Sequence, residues 1–266
     1  MSSWFVMQEG VVRLAVFTAV ILAMLAWQLL APLRGGQTAP WRRWVNHVGL
    51  LAVGNLLIRA LAPMVPVSAA LLAARYEWGL LHWAEVPLLV GVGATVILLD
   101  ALIYWQHRVF HQVPLLWRLH RVHHADTEFD VTTALRFHPV EIILSLAIKV
   151  VAVLALGAPA VGVLVFEILL NATAVFNHGN VSLPAHVDRT LRYFLVTPDM
   201  HRIHHSWHRD ETDSNFGFCL PWWDRLFGSY KAAPRDGQTG MTIGLSELRA
   251  PQEQSLWALL LQPFRR

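Results

Sequence analysis

Five stretches of this chain are apolar for long enough to cross a lipid bilayer, and that confines the fold to helices in lipid. A hydrocarbon core of roughly 30 Å takes about 20 mostly apolar helical residues. Inside it, each backbone polar group has to find its partner within the segment. The stretches are residues 14–33, 45–62, 86–106, 140–156 and 159–177. The first is read as a retained span, because it is long, its charged flank is thin and no small-residue cleavage site follows. The second carries Asn46, His47, Asn55 and Arg59, which weaken it. The last two are joined by Gly157-Ala158-Pro159, which suits a tight hairpin. Residues 63–85 are apolar but broken by prolines and carry Arg75, Glu77 and His82, so they either lie in the interface or re-enter it. The expected architecture is therefore all-α: a membrane protein of four to five transmembrane helices, residues 1–266 forming one unit with no second domain.

Composition excludes the alternatives. Charged residues are 15% and hydrophobic ones 55%, where an average soluble domain has about 25% charged. That is too little charge to cover a soluble surface. Disorder, collagen and coiled coils need low hydrophobicity, periodic glycine or dense charge, and none is present. The single cysteine, Cys219, allows no internal disulfide. A net charge of +3 without a Lys/Arg block argues against a nucleic-acid partner. The basic residues instead set orientation. Arg34, Arg42 and Arg43 place the first loop in the cytoplasm, and Arg108, Arg118, Arg121 and Arg136 place the segment after the third span there too. Every histidine group then falls on the cytoplasmic side. Residues 255–266 read as an interfacial helix with a basic end.

Histidine is concentrated: of 14, twelve lie between His107 and His208. His107 and His111 stand at i, i+4 on one helix face. His120, His123 and His124 stand at i, i+3, i+4, and His201, His204 and His205 repeat that spacing. His178 ends the fifth span. Imidazole ligates iron, zinc, copper and nickel. Nine such residues are too many for one tetrahedral ion and suit two ions with four or five ligands each. Asp100, Tyr104, His107 and His111 form one stripe of the third span, and Glu167, Asn171 and His178 one stripe of the fifth. Asp100 is expected to accept a ligand's ring N–H, and the alternative for Asp100 and Glu167 is a buried structural ion pair or hydrogen bond. His138 is open between ligand, outer partner and helix start; Asp213 and Asn215 are outer partners or turn residues. His47, His82, His186 and His208 are not expected among the ligands. Gly91-Val-Gly93 lies inside a span, so it packs helices and binds no nucleotide.

Together these marks resemble the fatty acid hydroxylase superfamily, which includes sterol desaturases and C-4 methylsterol oxidases. The resemblance covers about residues 100–230. It rests on His107-x-x-x-His111, His120-x-x-His-His124, His138-Pro, His178-Gly-Asn180, Pro198-x-x-His201-x-x-His-His205 and Trp223-Asp-x-Leu-Phe-Gly-Ser-Tyr230. It implies a catalytic region at 100–230, a membrane setting, a lipid substrate and a cytoplasmic centre of two iron ions, with zinc accepted by the same ligands. His107, His111, His120, His123, His124, His178, His201, His204 and His205 are its implied ligands. Sphingolipid-type members carry a second histidine four residues after the third box, where this chain has Ser182; His138 is the substitute for that tenth ligand. No haem or flavin domain is expected in the chain, so the two electrons come from a reductase, ferredoxin or small haem protein. Hydroxylation and desaturation share these boxes. A metal transporter or sensor and a membrane cytochrome are the readings from other classes.

Overall fold

The computed structural model describes residues 2–35, 40–61 and 65–265, with side chains from residue 8. Ala62 and Pro63, at the edges of two expected segments, and Arg266 of the tail lie outside the described residues. In chain order the main helices are α1 (Ser2–Leu30), α2 (Pro40–Leu61), α3 (Pro66–Arg75), α4 (Leu80–Trp83), α5 (Leu88–Gln112), α6 (Pro114–His124), α7 (Pro139–Leu156), α8 (Ala160–Asn177), α9 (Ala185–Leu191) and α10 (Pro198–His204). Among the described residues the only extended pairing is one isolated bridge, Ser206 to Ile243.

Five helical stretches are long and apolar enough to cross a membrane: Gln8–Leu30, one beginning at Pro40, Leu88–Gln112, Pro139–Leu156 and Ala160–Asn177. The first ends before residue 33 because Pro32 cannot continue a helix and disfavours helical geometry in the residue before it. The third runs six residues past the apolar run, through His107 and His111. Pro114 stops it, with Val113 extended between α5 and α6. Outward-facing leucines such as Leu14, Leu29, Leu89 and Leu98 remain exposed, as lipid contact requires.

The spans pack with α8 at the centre, against α1 on one side and α5 on the other. Residues 65–85, left open by the sequence, form α3 and α4, and α3 buries Val67, Ala69, Ala70 and Ala73 against the α7–α8 hairpin. Two glycines make that contact possible. Gly157 has φ +64° and Gly79 φ +97°. A Cβ on Gly157 would stand 2.3 Å from the Trp78 carbonyl oxygen, and one on Gly79 2.1 Å from the Gly157 nitrogen. Left-handed backbone costs a non-glycine residue about 1–3 kcal/mol before any clash. Gly157→Ala should therefore lower the melting temperature of the detergent-solubilised protein by roughly 5 °C or more; an unchanged transition would refute the close approach.

On the histidine side a buried polar network ties α2 to the segment after α6. Arg43 donates to Asp126 (2.7 Å) and Asp130 (2.6 Å). The Thr132 hydroxyl donates to Asp130 at 2.6 Å, so His47 Nδ1–H donates to Thr132 at 2.9 Å and its Nε2 accepts from Arg136 at 3.2 Å. Two of the arginines expected to mark the cytoplasmic loops, Arg43 and Arg136, are thus spent inside the protein. In the tail, the helix Leu256–Leu261 packs Leu259 on Leu50 and Val122 while Trp257 and Phe264 stay exposed.

Candidate metal centre

Four elements bring histidines to one place. The turn at Val113–Pro114 folds α6 back so that its histidine face meets the end of α5. In α6, His120, His123 and His124 are buried with Leu119 and Val122. His178 caps the end of α8, where its Nδ1–H donates to the Ala174 carbonyl at 2.7 Å. α10 starts at Pro198, with the Thr197 side chain accepting from Met200 N, and turns His201 and His204 inward with His205 at its end. All nine are buried.

They divide into two groups. His107, His111, His120, His124 and His204 form one, and His123, His178, His201 and His205 the other; within each, one nitrogen per ring lies within 4.8 Å of the rest. The groups adjoin, with ring centroids of His124 and His205 4.6 Å apart. In the second group, Nε2 of His178 is 3.1 Å from that of His123 and 3.0 Å from that of His201. Imidazole nitrogens held about 2.0–2.1 Å from one ion are spaced about 3 Å apart, so this packing has the dimensions of a ligand shell.

Outer partners aim the rings. The Phe216 carbonyl accepts from His107 Nδ1–H (2.8 Å) and the Ser214 carbonyl from His204 Nδ1–H (2.7 Å). Carbonyls only accept, so both rings must present Nε2 as a bare lone pair. Glu141 accepts from His120 Nδ1 at 2.6 Å and Asp213 from His111 Nδ1 at 3.2 Å. The inner Nε2 atoms of His107, His111, His120 and His204 are buried without a protein partner, as are both nitrogens of His124 and His205. Buried polar atoms are almost always satisfied; this concentration of orphaned lone pairs is what a metal site looks like to its protein. Burial holds His204 down to about 3 and His178 to about 4, and with neighbouring imidazoles it holds His123, His124, His201 and His205 well below the usual histidine range. Neutral imidazole is the ligating form.

Other expected residues lie elsewhere. Asp100 accepts no ring N–H; it takes Cys219 N and Leu220 N at 3.1 Å and the Trp223 indole at 2.8 Å. It therefore holds the loop whose Phe216 carbonyl aims His107, a layer further out. Asp224 grips the same loop through Phe216 N and Gly217 N at 2.8 Å, and burial pushes it up to about 6 against those hydrogen bonds. Tyr104 donates to Ser229 (2.8 Å), which donates to Asp224. His138 has no nitrogen free for a metal: Nδ1 accepts from Val140 N at the start of α7, and Nε2–H donates to Leu260 O at 3.1 Å. Glu167 pairs with Lys149 (2.7 Å) and Arg13 (2.9 Å), and Asn171 donates to the Glu167 carbonyl. Asn215 spans Met200 O and Lys231 O. Glu141, absent from the expected site residues, does carry a sequence signal as a carboxylate at the head of an apolar span; the carbonyls of Ala174, Ser214 and Phe216 leave no mark in any sequence.

A cavity of about 300 Å³ opens on this centre. His107 and His120 stand at one end, Ile103, Leu135, Phe137 and Phe218 form apolar wall, and Arg13, Lys149 and Glu167 stand at the other end.

The fatty acid hydroxylase family model matches residues 92–229, about half of the chain. The chain is 28% identical over 226 residues to an ornithine lipid hydroxylase of Rhizobium tropici, covering 84% of this chain and 65% of that protein. It is 28% identical over 144 residues to the alkylglycerol monooxygenase of Homo sapiens (52% of this chain, 30% of that one). A very-long-chain aldehyde decarbonylase of Oryza sativa subsp. indica matches at 28% over 200 residues (71% and 28%). The chain thus spans less than two thirds of each of these relatives. No solved structure matches it.

Proposed function

This chain belongs to the fatty acid hydroxylase family, and from that premise we propose that it is a membrane oxidoreductase that hydroxylates a lipid C–H bond at a centre of two iron ions. The observation that carries the reading is the pair of buried histidine groups, five and four, with bare ring nitrogens turned inward beside an apolar cavity. The names of relatives, a lipid hydroxylase and an alkylglycerol monooxygenase, support hydroxylation of a lipid. The balance is RH + O2 + 2 e⁻ + 2 H⁺ → ROH + H2O, with electrons delivered by a separate reductase, ferredoxin or small haem protein.

The residues fit the metal. His107, His111, His120, His124 and His204 would hold one ion, and His123, His178, His201 and His205 the other, within a catalytic region at 100–230. Bound iron would supply O2 activation, which no side chain here can perform. The protein's own part is orientation and exclusion. The Phe216, Ser214 and Ala174 carbonyls and Glu141 fix tautomers and ring angles. The wall formed by Ile103, Leu135, Phe137 and Phe218 keeps water off a chain presented at His107 and His120. We place the centre on the cytoplasmic side, on the strength of Arg42, Arg108, Arg118 and Arg121 flanking it. The clustering of all nine histidines at helix ends, in rigid spacing, sets this reading above a transport path with ligands at mid-membrane.

Metal stoichiometry by mass spectrometry on protein purified in mild detergent tests it. About two metal ions per chain, predominantly iron and without a haem absorption band, is the expected result. A folded protein free of metal would overturn the enzyme reading.

A further inference from the structure

The far end of the cavity is charged, and its cations carry more hydrogen-bond donors than their ion pairs use. Arg13 on α1, Lys149 on α7 and Glu167 on α8 all line it. Glu167 accepts from both cations, at 2.9 Å from Arg13 and 2.7 Å from Lys149. Glu9 also pairs with Arg13, at 3.5 Å, and is not among the residues lining the cavity. An arginine carries five N–H donors and a lysine three; these contacts occupy two of the first and one of the second. The remaining donors of these two cavity-lining cations are free for a further acceptor, since the carboxylate between them is already shared. The wall between carries further hydrogen-bonding groups. Asn55, Ser145 and Asn171 line it, and the buried Gln106 carbonyl oxygen there has no partner. A cavity built only for hydrocarbon would carry none of these.

We propose that Arg13 and Lys149 bind the anionic group of a single-chain lipid whose chain runs down the cavity to His107 and His120. This rests on the reading of the cavity as the lipid site of the enzyme. Charge sets the direction of entry and therefore which carbon is presented. Glu167 lies three turns before His178 on α8, so the anion would sit about 16 Å from the histidine layer, the reach of an extended chain of about a dozen carbons. A volume of about 300 Å³ is at the small end of ligand pockets, which suits one chain and not a two-chain lipid body.

The test uses the full chain, metal-loaded, in a neutral maltoside detergent, with binding of radiolabelled dodecanoate read by scintillation proximity. Unlabelled dodecanoate, dodecyl phosphate, methyl dodecanoate and dodecylamine compete. Dodecanoate or dodecyl phosphate should compete at least tenfold better than the ester or the amine, and the stronger of the two identifies the head group. Lys149→Gln and Arg13→Gln should each weaken dodecanoate about tenfold while leaving metal content unchanged. An ester that competes as well as the acid, or variants that keep the acid preference, overturns the proposal. Should a variant fail to fold, the acid-against-ester comparison on the unmodified protein still decides. Loss of preference with both metals bound sinks this inference alone; acid preference in a protein that binds no metal sinks the enzyme reading and leaves the anion site standing.

Discussion

Replacing His204 with alanine is expected to leave a folded, membrane-inserted chain that holds one metal ion fewer and turns over no lipid. His204 sits in the five-histidine group, its ring centroid 4.5 Å from those of both His107 and His124. Its Nδ1–H is anchored on Ser214 O and its Nε2 faces inward without a partner. Truncation removes a first ligand from one ion. The loss in metal affinity should exceed the roughly 10–100-fold that follows from removing an outer partner. The matched control is His138→Ala. Both nitrogens of His138 are engaged in holding α7 and the C-terminal helix, so that variant should lose some thermal stability while keeping two metals and its turnover. Metal content by mass spectrometry and hydroxylated lipid by chromatography of extracts read both variants. Full metal and turnover in His204→Ala would overturn the ligand assignment; metal loss in His138→Ala would restore His138 as a tenth ligand.

Asp126→Ala should destabilise the protein by about 3–5 kcal/mol, the range for removing one partner from a buried ion pair. Asp126 is fully buried two residues after His124, where it accepts from Arg43 at 2.7 and 3.1 Å and from Thr133 at 2.8 Å. Arg136, also fully buried, lies 3.7 Å away. Without the carboxylate, Arg136 loses its nearby anion and Arg43 keeps Asp130 as its one anion, with the Thr133 hydroxyl at 3.2 Å. Burial alone would raise the Asp126 carboxyl, but Arg43, with Arg136 beyond it, outweighs that and holds it well below the usual carboxylate range. A depressed folded value means that the contribution is complete above the unfolded carboxyl's titration and is lost only as pH falls through the depressed value. The Asp126→Ala difference should therefore persist through mildly acidic pH and shrink only in strong acid. A variant as stable as the parent in chemical or thermal unfolding would overturn this assignment of stability to the network. The same loop packs Phe129 on His178, centroids 5.6 Å apart, so the second histidine group should loosen before the first.

The apolar runs and the histidine spacings were legible because both are local. A span is recognised by its own length and hydropathy, and i, i+3, i+4 imidazoles share a face wherever a helix forms. One helix end differs for an equally local reason, Pro32 stopping α1 early, while α5 runs through His107 and His111, as their shared stripe requires, until Pro114 stops it. Asp100 and Glu167 were noticed as carboxylates in apolar spans, yet their partners, a loop near residue 220 and two basic residues on α1 and α7, are distant in sequence. No pattern within one helix selects between a ring N–H, a backbone amide and an ion pair.

The chain's residue order alone thus dictates five helices in lipid and histidine clustered at their ends; the neutral state of those rings follows from their burial. The division into groups of five and four came from packing. His123 and His124 are neighbours in the chain, but successive side chains on a helix point about 100° apart, so α6 hands one to each group, and α10 does the same with His204 and His205. The partners that complete each group are supplied by α5 and α8, whose approach depends on long-range contacts that no local rule encodes. The carbonyls that fix the tautomers, and the charged far end of the cavity, exist only once those contacts are made.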